Sequence, residues 1–124
     1  MSKWILLFIS GGMGTIARYA LAGIVYQIAG SRFPYGTLVV NWLGCFLAGF
    51  LLVLSEEKFL LNPSFRLMTM IGFLGAFTTF STFMVETGNL AQDGEWLSAF
   101  GNVVLSVCVG FLIFQAGVLV GKIL

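Results

Sequence analysis

Four apolar runs, each about as long as the ~20 residues a helix needs to cross a bilayer, fill this sequence from Trp4 almost to its last residue. Between them stand only short connectors of charge, proline and glycine. A chain of 124 residues arranged this way holds four crossings and leaves no room for a soluble domain. Its 59% apolar and 9% charged residues and mean hydropathy of +1.02 fit a bilayer as the main solvent. The sequence therefore predicts an all-α membrane protein, one four-helix transmembrane domain over residues 1–124.

The punctuation places the spans. The first runs from Trp4 to Ile28, between Lys3 and the turn-forming Gly30, Ser31, Arg32, Phe33 and Pro34, with Trp4 and Tyr26 suited to the two water interfaces. Its apolar run is longer than the core of a signal peptide and later segments repeat it, so it reads as a retained span. The second runs from Thr37 to Leu54 and stops at Glu56, Glu57 and Lys58, with Pro63 closing the connector. The third starts at Phe65 or Arg66 and ends near Leu90. After Asp93, Gly94 and Glu95, the fourth extends from Trp96 to Val120. Small residues recur within the spans at Gly11, Gly12 and Gly14, at Gly44, Ala48 and Gly49, and at Gly117 and Gly121. Such stripes let helix backbones approach closely, chiefly within one chain, although four thin spans also leave surface for association between chains.

Several function classes are excluded at this stage. The net charge of +1 comes from six basic and five acidic residues, the basic ones scattered singly, which offers no stripe for nucleic acid and no polybasic lipid cluster. Cys45 and Cys108 lie in apolar runs without CxxC spacing and the chain has no histidine, so zinc, haem and a structural disulfide are not expected. Nor is an enzyme, since one intramembrane glutamate and two inert thiols assemble no acid/base pair or activated nucleophile.

Polar groups inside the apolar layer are functional candidates, because an ionised side chain there costs at least about 2.5 kcal/mol. Arg18 lies fourteen residues past Trp4, beyond the middle of its span, either as a functional charge or as an anchor snorkelling to the interface. Glu86, in the second half of the third span, is read as a cation partner, a proton carrier, a residue of a wet vestibule or a structural acceptor. Asn41 and Asn102 each bury four hydrogen-bonding sites that something must satisfy; for Asn102 the preferred role is glue between helices.

The third span is the least regular. Gly72 and Gly75 precede Phe77, Thr78, Thr79, Phe80, Ser81, Thr82 and Phe83. On a continuous helix Phe77, Phe80 and Phe83 would share one face beside a stripe made by Thr78, Ser81 and Thr82. Glycines followed by paired threonines are also what a membrane helix tolerates at a break, where hydroxyls replace lost backbone bonds. A break at mid-membrane frees carbonyls for a small cation and turns the start of the next half-helix toward anions. Phenyl edges carry the positive end of the ring quadrupole, so they meet an anion edge-on.

These pieces together resemble the Fluc (CrcB) family of small bacterial fluoride channels. The resemblance covers essentially the whole chain, through Gly11, Gly12, Met13, Gly14, Thr15, Ile16, Ala17, Arg18 and Tyr19, the block Pro34 to Asn41, and the segment Gly72 to Phe83. It implies a passive fluoride-specific channel of the bacterial cytoplasmic membrane. It also implies an antiparallel, dual-topology homodimer of four-helix subunits with two pores along the interface. Phe80 and Phe83 would then supply ring edges, Asn41 a donor to fluoride, Ser81 and Thr82 a polar track, and Glu86 a position beside the ion path. Backbone carbonyls of Gly75 and Thr78 from both subunits would hold one central structural sodium ion that is not transported.

The chain departs from many relatives at Gly110, where a serine often stands, and at Phe77, where leucine is common. Loop charges pull against dual topology: Lys3, Lys58, Arg66 and Lys122 gather on one side and Arg32 on the other, which favours cytoplasmic termini. Two other classes compete. One is a four-span proton-coupled exporter of organic cations using Glu86; the other is a non-transporting assembly subunit needing only the glycine faces.

Overall fold

A computed structural model describes residues 2–124, and all regular structure among them is helical. Four helical stretches are long and apolar enough to cross a membrane, over Lys3–Ala29, Tyr35–Glu56, Pro63–Gln92 and Trp96–Ile123. Each contains the run expected from the sequence and overshoots it by three residues or fewer at either end. The chain is thus a multi-pass membrane protein. The first, second and fourth stretches are α1, α2 and α5; the third is divided into α3 (residues 63–77) and α4 (Phe80–Gln92).

Local chemistry explains the starts. Ser2 accepts from the Trp4 N–H at 3.3 Å, and Asn62 accepts from the Phe65 N–H at 2.8 Å ahead of Pro63. Both are side-chain caps of orphaned first-turn donors. The third and fourth stretches also contain wide, π-type turns, over Leu67–Phe73 and Leu105–Val109. A wide turn pushes one residue out of the i→i−4 ladder. In α5 the Leu105 carbonyl accepts instead from Trp42 Nε1 at 2.9 Å.

Helix α2 is central, packing along α5 on one side and against α1 on the other. The crossing with α5 is backbone on backbone. A β-carbon at Gly117 would strike the Phe46 carbonyl, and one at Gly49 would strike the Phe114 carbonyl. Only glycine allows this approach, which gains dispersion contact where hydrophobic burial gives no drive. The expected packing role thus holds for Gly14, which meets Phe73, and for Gly44, Gly49, Gly117 and Gly121, whereas Gly12 has nothing near it.

Helix α1 lies against α3, and α4 packs on the start of α5. Val40, Leu74 and Phe77 form the buried core with Ala17, Leu21, Leu47 and Leu51 around them. One helical stripe through Phe77, Phe80 and Phe83 does not exist, because the helix stops between the first and second of these rings. Phe77 turns inward and stacks on Phe73 at 5.6 Å, 3% exposed. At one end of the bundle Glu56 pairs with Arg66, and Glu57 with Lys122 at 3.8 Å.

Candidate functional site: a broken helix between two grooves

The third span is interrupted at Thr78 and Thr79, which adopt extended backbone (φ −87°, ψ 155° and φ −148°, ψ 120°). Fifteen residues precede the break and thirteen follow it, or roughly 20 Å of helix on each side. The break therefore lies near mid-membrane, as the sequence predicts. Two half-helices meet there with opposite ends, carbonyls from α3 and amides from α4.

Lipid satisfies none of those groups, and the protein satisfies only some. Thr78 repeats the i→i−4 bond with its own side chain, Oγ1 donating to the Leu74 carbonyl at 2.9 Å. Asn41 Nδ2 donates to the Thr79 carbonyl at 3.0 Å, while the Thr79 N–H donates to Asn41 Oδ1 at 2.8 Å. Thr79 Oγ1 caps α4 by accepting from the Thr82 N–H at 3.2 Å. Arg18 Nε donates to the Ala76 carbonyl at 3.0 Å, putting a cation at the negative end of α3. The carbonyls of Gly75, Phe77 and Thr78 accept no backbone bond across the break. Gly75 is exposed with open space where a β-carbon would stand. Such oxygens suit a hard cation such as sodium, so the Gly75 and Thr78 donor set fits it.

Two grooves flank the break. The first, about 420 Å³, is lined by Asn41, Gly44, Cys45, Gly75, Thr78, Thr79, Phe80, Phe83 and Ser106 among others. Gly44 lets this segment sit against α2, since a β-carbon there would strike the Thr78 methyl. The Phe80 and Phe83 rings meet edge to face, 5.6 Å apart at 63°. Phe80 is 70% exposed and Phe83 only 4%, so one ring waits at the groove's open side and the other forms its wall. The second groove, about 650 Å³, is lined by Arg18, Tyr26, Gln27, Thr37, Thr79, Thr82 and Glu86.

The site residues expected from sequence are thus divided. Asn41, Phe80, Phe83, Gly75 and Thr78 lie on the first groove, and Thr82 and Glu86 on the second. Thr79 lines both. Ser81 is exposed and lines neither, its hydroxyl 3.5 Å from that of Thr79. Both Glu86 oxygens are engaged: Tyr26 Oη donates to Oε2 at 2.8 Å and Thr37 Oγ1 donates to Oε1. Tyr26 therefore turns its phenol into the bundle rather than serving only as an interface anchor. Asn102 is glue, as expected: it is 2% exposed, and its Nδ2 donates to Thr87 Oγ1 at 2.9 Å, linking α5 to α4.

Comparison of the sequence with known proteins shows its family. The family model described as CrcB-like protein, Camphor Resistance (CrcB), matches residues 5–118. The chain belongs to the CrcB-like family. Its relatives include the "Fluoride-specific ion channel FluC" of Desulforapulum autotrophicum, 44% identical over 98% of both chains. That of Geobacter sp. strain M21 is 42% identical over the full length of both. That of Dehalococcoides mccartyi strain CBDB1 is 40% identical over all of this chain and 95% of its own.

In this CrcB-like chain, sequence reading missed Tyr26 and Thr37 as partners of Glu86, the use of Arg18, and Ser106 on the first groove. One signal was present. Thr37, Asn41, Gly44, Cys45 and Ala48 recur at helical spacing on α2, a polar and small face that foretells a groove. Ser106, one turn after Asn102, carried the same signal. The partner of Arg18 was not signalled, because Ala76 contributes only its main chain.

Proposed function

We propose that this protein is a fluoride-specific channel of the bacterial cytoplasmic membrane, conducting passively and so exporting fluoride that accumulates in the cytoplasm. Its relatives' names point to the ion. The single observation that carries the reading is the set of unpaired main-chain groups at mid-membrane on the open wall of the first groove, beside two phenyl rings that meet edge to face, Phe80 exposed and Phe83 buried in the wall. Such a surface is not stable against acyl chains; it requires water, ions or a second copy.

In this proposal two copies associate antiparallel across that wall and enclose two pores. Phe80 and Phe83 present ring edges to fluoride. Asn41 keeps one Nδ2 hydrogen free after bonding Thr79 and donates it. Ser81 and Thr82 continue the polar track, and Glu86 lies beside it. The Gly75 and Thr78 carbonyls of both copies hold one structural sodium ion, which offsets the two converging α3 C-termini. The protein is an ion conductor and performs no covalent chemistry.

Efflux from fluoride-loaded proteoliposomes, followed with a fluoride electrode, tests the reading. Flux should follow the electrochemical gradient without a pH gradient, and a chloride load should leak far more slowly. Strict proton coupling, or equal chloride flux, overturns it. Phe80→Ile and Phe83→Ile should each slow flux by roughly tenfold or more, a barrier change of about 1.4 kcal/mol. Cells carrying Glu86→Gln that keep fluoride tolerance with unchanged dye resistance exclude the organic-cation exporter.

A further inference from the structure

The connector from α2 to α3 is folded more tightly than its composition suggests. The Lys58 N–H donates to the Val53 carbonyl at 3.0 Å and the Leu60 N–H to the Leu54 carbonyl at 2.9 Å, so the corner is strapped back onto the end of α2. That fold puts Phe59 at a φ of +53°, a region favouring glycine, asparagine or aspartate. The residue there is nevertheless a phenylalanine, 82% exposed, and Leu60 beside it is 67% exposed. A rigid corner that displays apolar side chains at the end of two membrane spans faces the head-group layer.

Beside Phe59 lies a groove of about 420 Å³, lined by Glu56, Phe59, Arg66, Leu67 and Ile71 among others. Its polarity is graded. The Arg66 and Glu56 ion pair forms the rim, each side chain about half exposed at 49%, and Leu67 and Ile71 lead one helical turn deeper along α3. A guanidinium has five donors and a carboxylate about four acceptor sites, so pairing with each other leaves most of both unused.

We propose that this corner binds a zwitterionic aminophospholipid, its phosphate on Arg66, its ammonium on Glu56 and one acyl chain along Phe59, Leu67 and Ile71. A phosphoethanolamine head carries both signs, as the rim does. An anionic glycerol lipid would meet Glu56 as a repulsive neighbour.

The test is native mass spectrometry of the full-length protein released from detergent with equimolar phosphatidylethanolamine and phosphatidylglycerol of the same acyl chains. Phosphatidylethanolamine adducts should predominate by about fivefold. Glu56→Gln should abolish that preference, and Arg66→Gln, which removes the partner of the phosphate common to both lipids, should lower retention of both. Phe59→Ser, on an exposed loop that leaves the helices intact, should lower total lipid retention. Equal retention of the two lipids, preference for phosphatidylglycerol, dimer formation through this face in place of lipid, or wild-type profiles in all three variants would overturn the proposal.

Discussion

Asn41 holds both main-chain groups of Thr79 with one amide, and Arg18 holds the carbonyl of Ala76 three residues earlier. Each bond replaces one that a continuous helix would make for itself. Asn41→Leu leaves a donor and an acceptor without partners in a medium that offers none. It should cost roughly 2–4 kcal/mol, and Arg18→Met about 1–3 kcal/mol. Because both side chains secure the same short turn, a break already loosened by one substitution gains less from the other's partner. The double variant should fall short of the sum by at least about 0.5 kcal/mol. Unfolding of the detergent-solubilised protein in a double-mutant cycle measures this. Strict additivity would mean that the two bonds stabilise independent pieces of structure.

Among the helices, the crossing of α2 and α5 depends on two glycines whose missing side chains make room for carbonyls. Gly117→Ala should force the pair apart and cost about 1–3 kcal/mol, the usual range for overpacking. Gly23→Ala, in a position with nothing near it, should be neutral or slightly stabilising through helix propensity. Thermal midpoints of the two variants separate a close approach from a mere preference for small residues. The same elements explain what was readable in advance. Span ends follow from apolar length and from Glu56, Glu57, Asp93 and Glu95, which bilayer thickness makes nearly unambiguous. The break followed from Gly72, Gly75 and the paired threonines, which supply the hydroxyls a broken helix needs. The wide turns of α3 and α5 were not readable, since a π-type turn depends on what a neighbour offers, as Trp42 offers to Leu105. The division of Phe80 and Phe83 from Thr82 and Glu86 was hidden for a related reason. It depends on which helices flank α4, and i, i+3 spacing on one helix carries no information about that.

As a whole molecule the protomer is thin: within its four apolar windows, only 11% to 33% of residues are buried by the rest of the chain. Lipid can cover most of what remains, but not the carbonyls of Gly75, Phe77 and Thr78, so the proposed second copy is expected to meet the first at the break. Gly75 tests this without disturbing the fold of one subunit. Its β-carbon position is empty in the protomer, so Gly75→Leu should fold normally and gain up to about 1 kcal/mol of helix propensity. Across a two-fold axis, however, the same side chain would meet its own copy and the oxygens proposed for sodium. Subunit counting by single-molecule photobleaching in liposomes should show dimers for the native protein. For Gly75→Leu it should show a shift toward monomers of at least about tenfold in apparent Kd, the equivalent of 1.4 kcal/mol. Exchanging sodium for a large organic cation should move the native protein the same way and leave the variant unmoved, because its site is already lost. A Gly75→Leu protein that dimerises and conducts like the native one would place the subunit contact elsewhere and leave the free carbonyls to water alone.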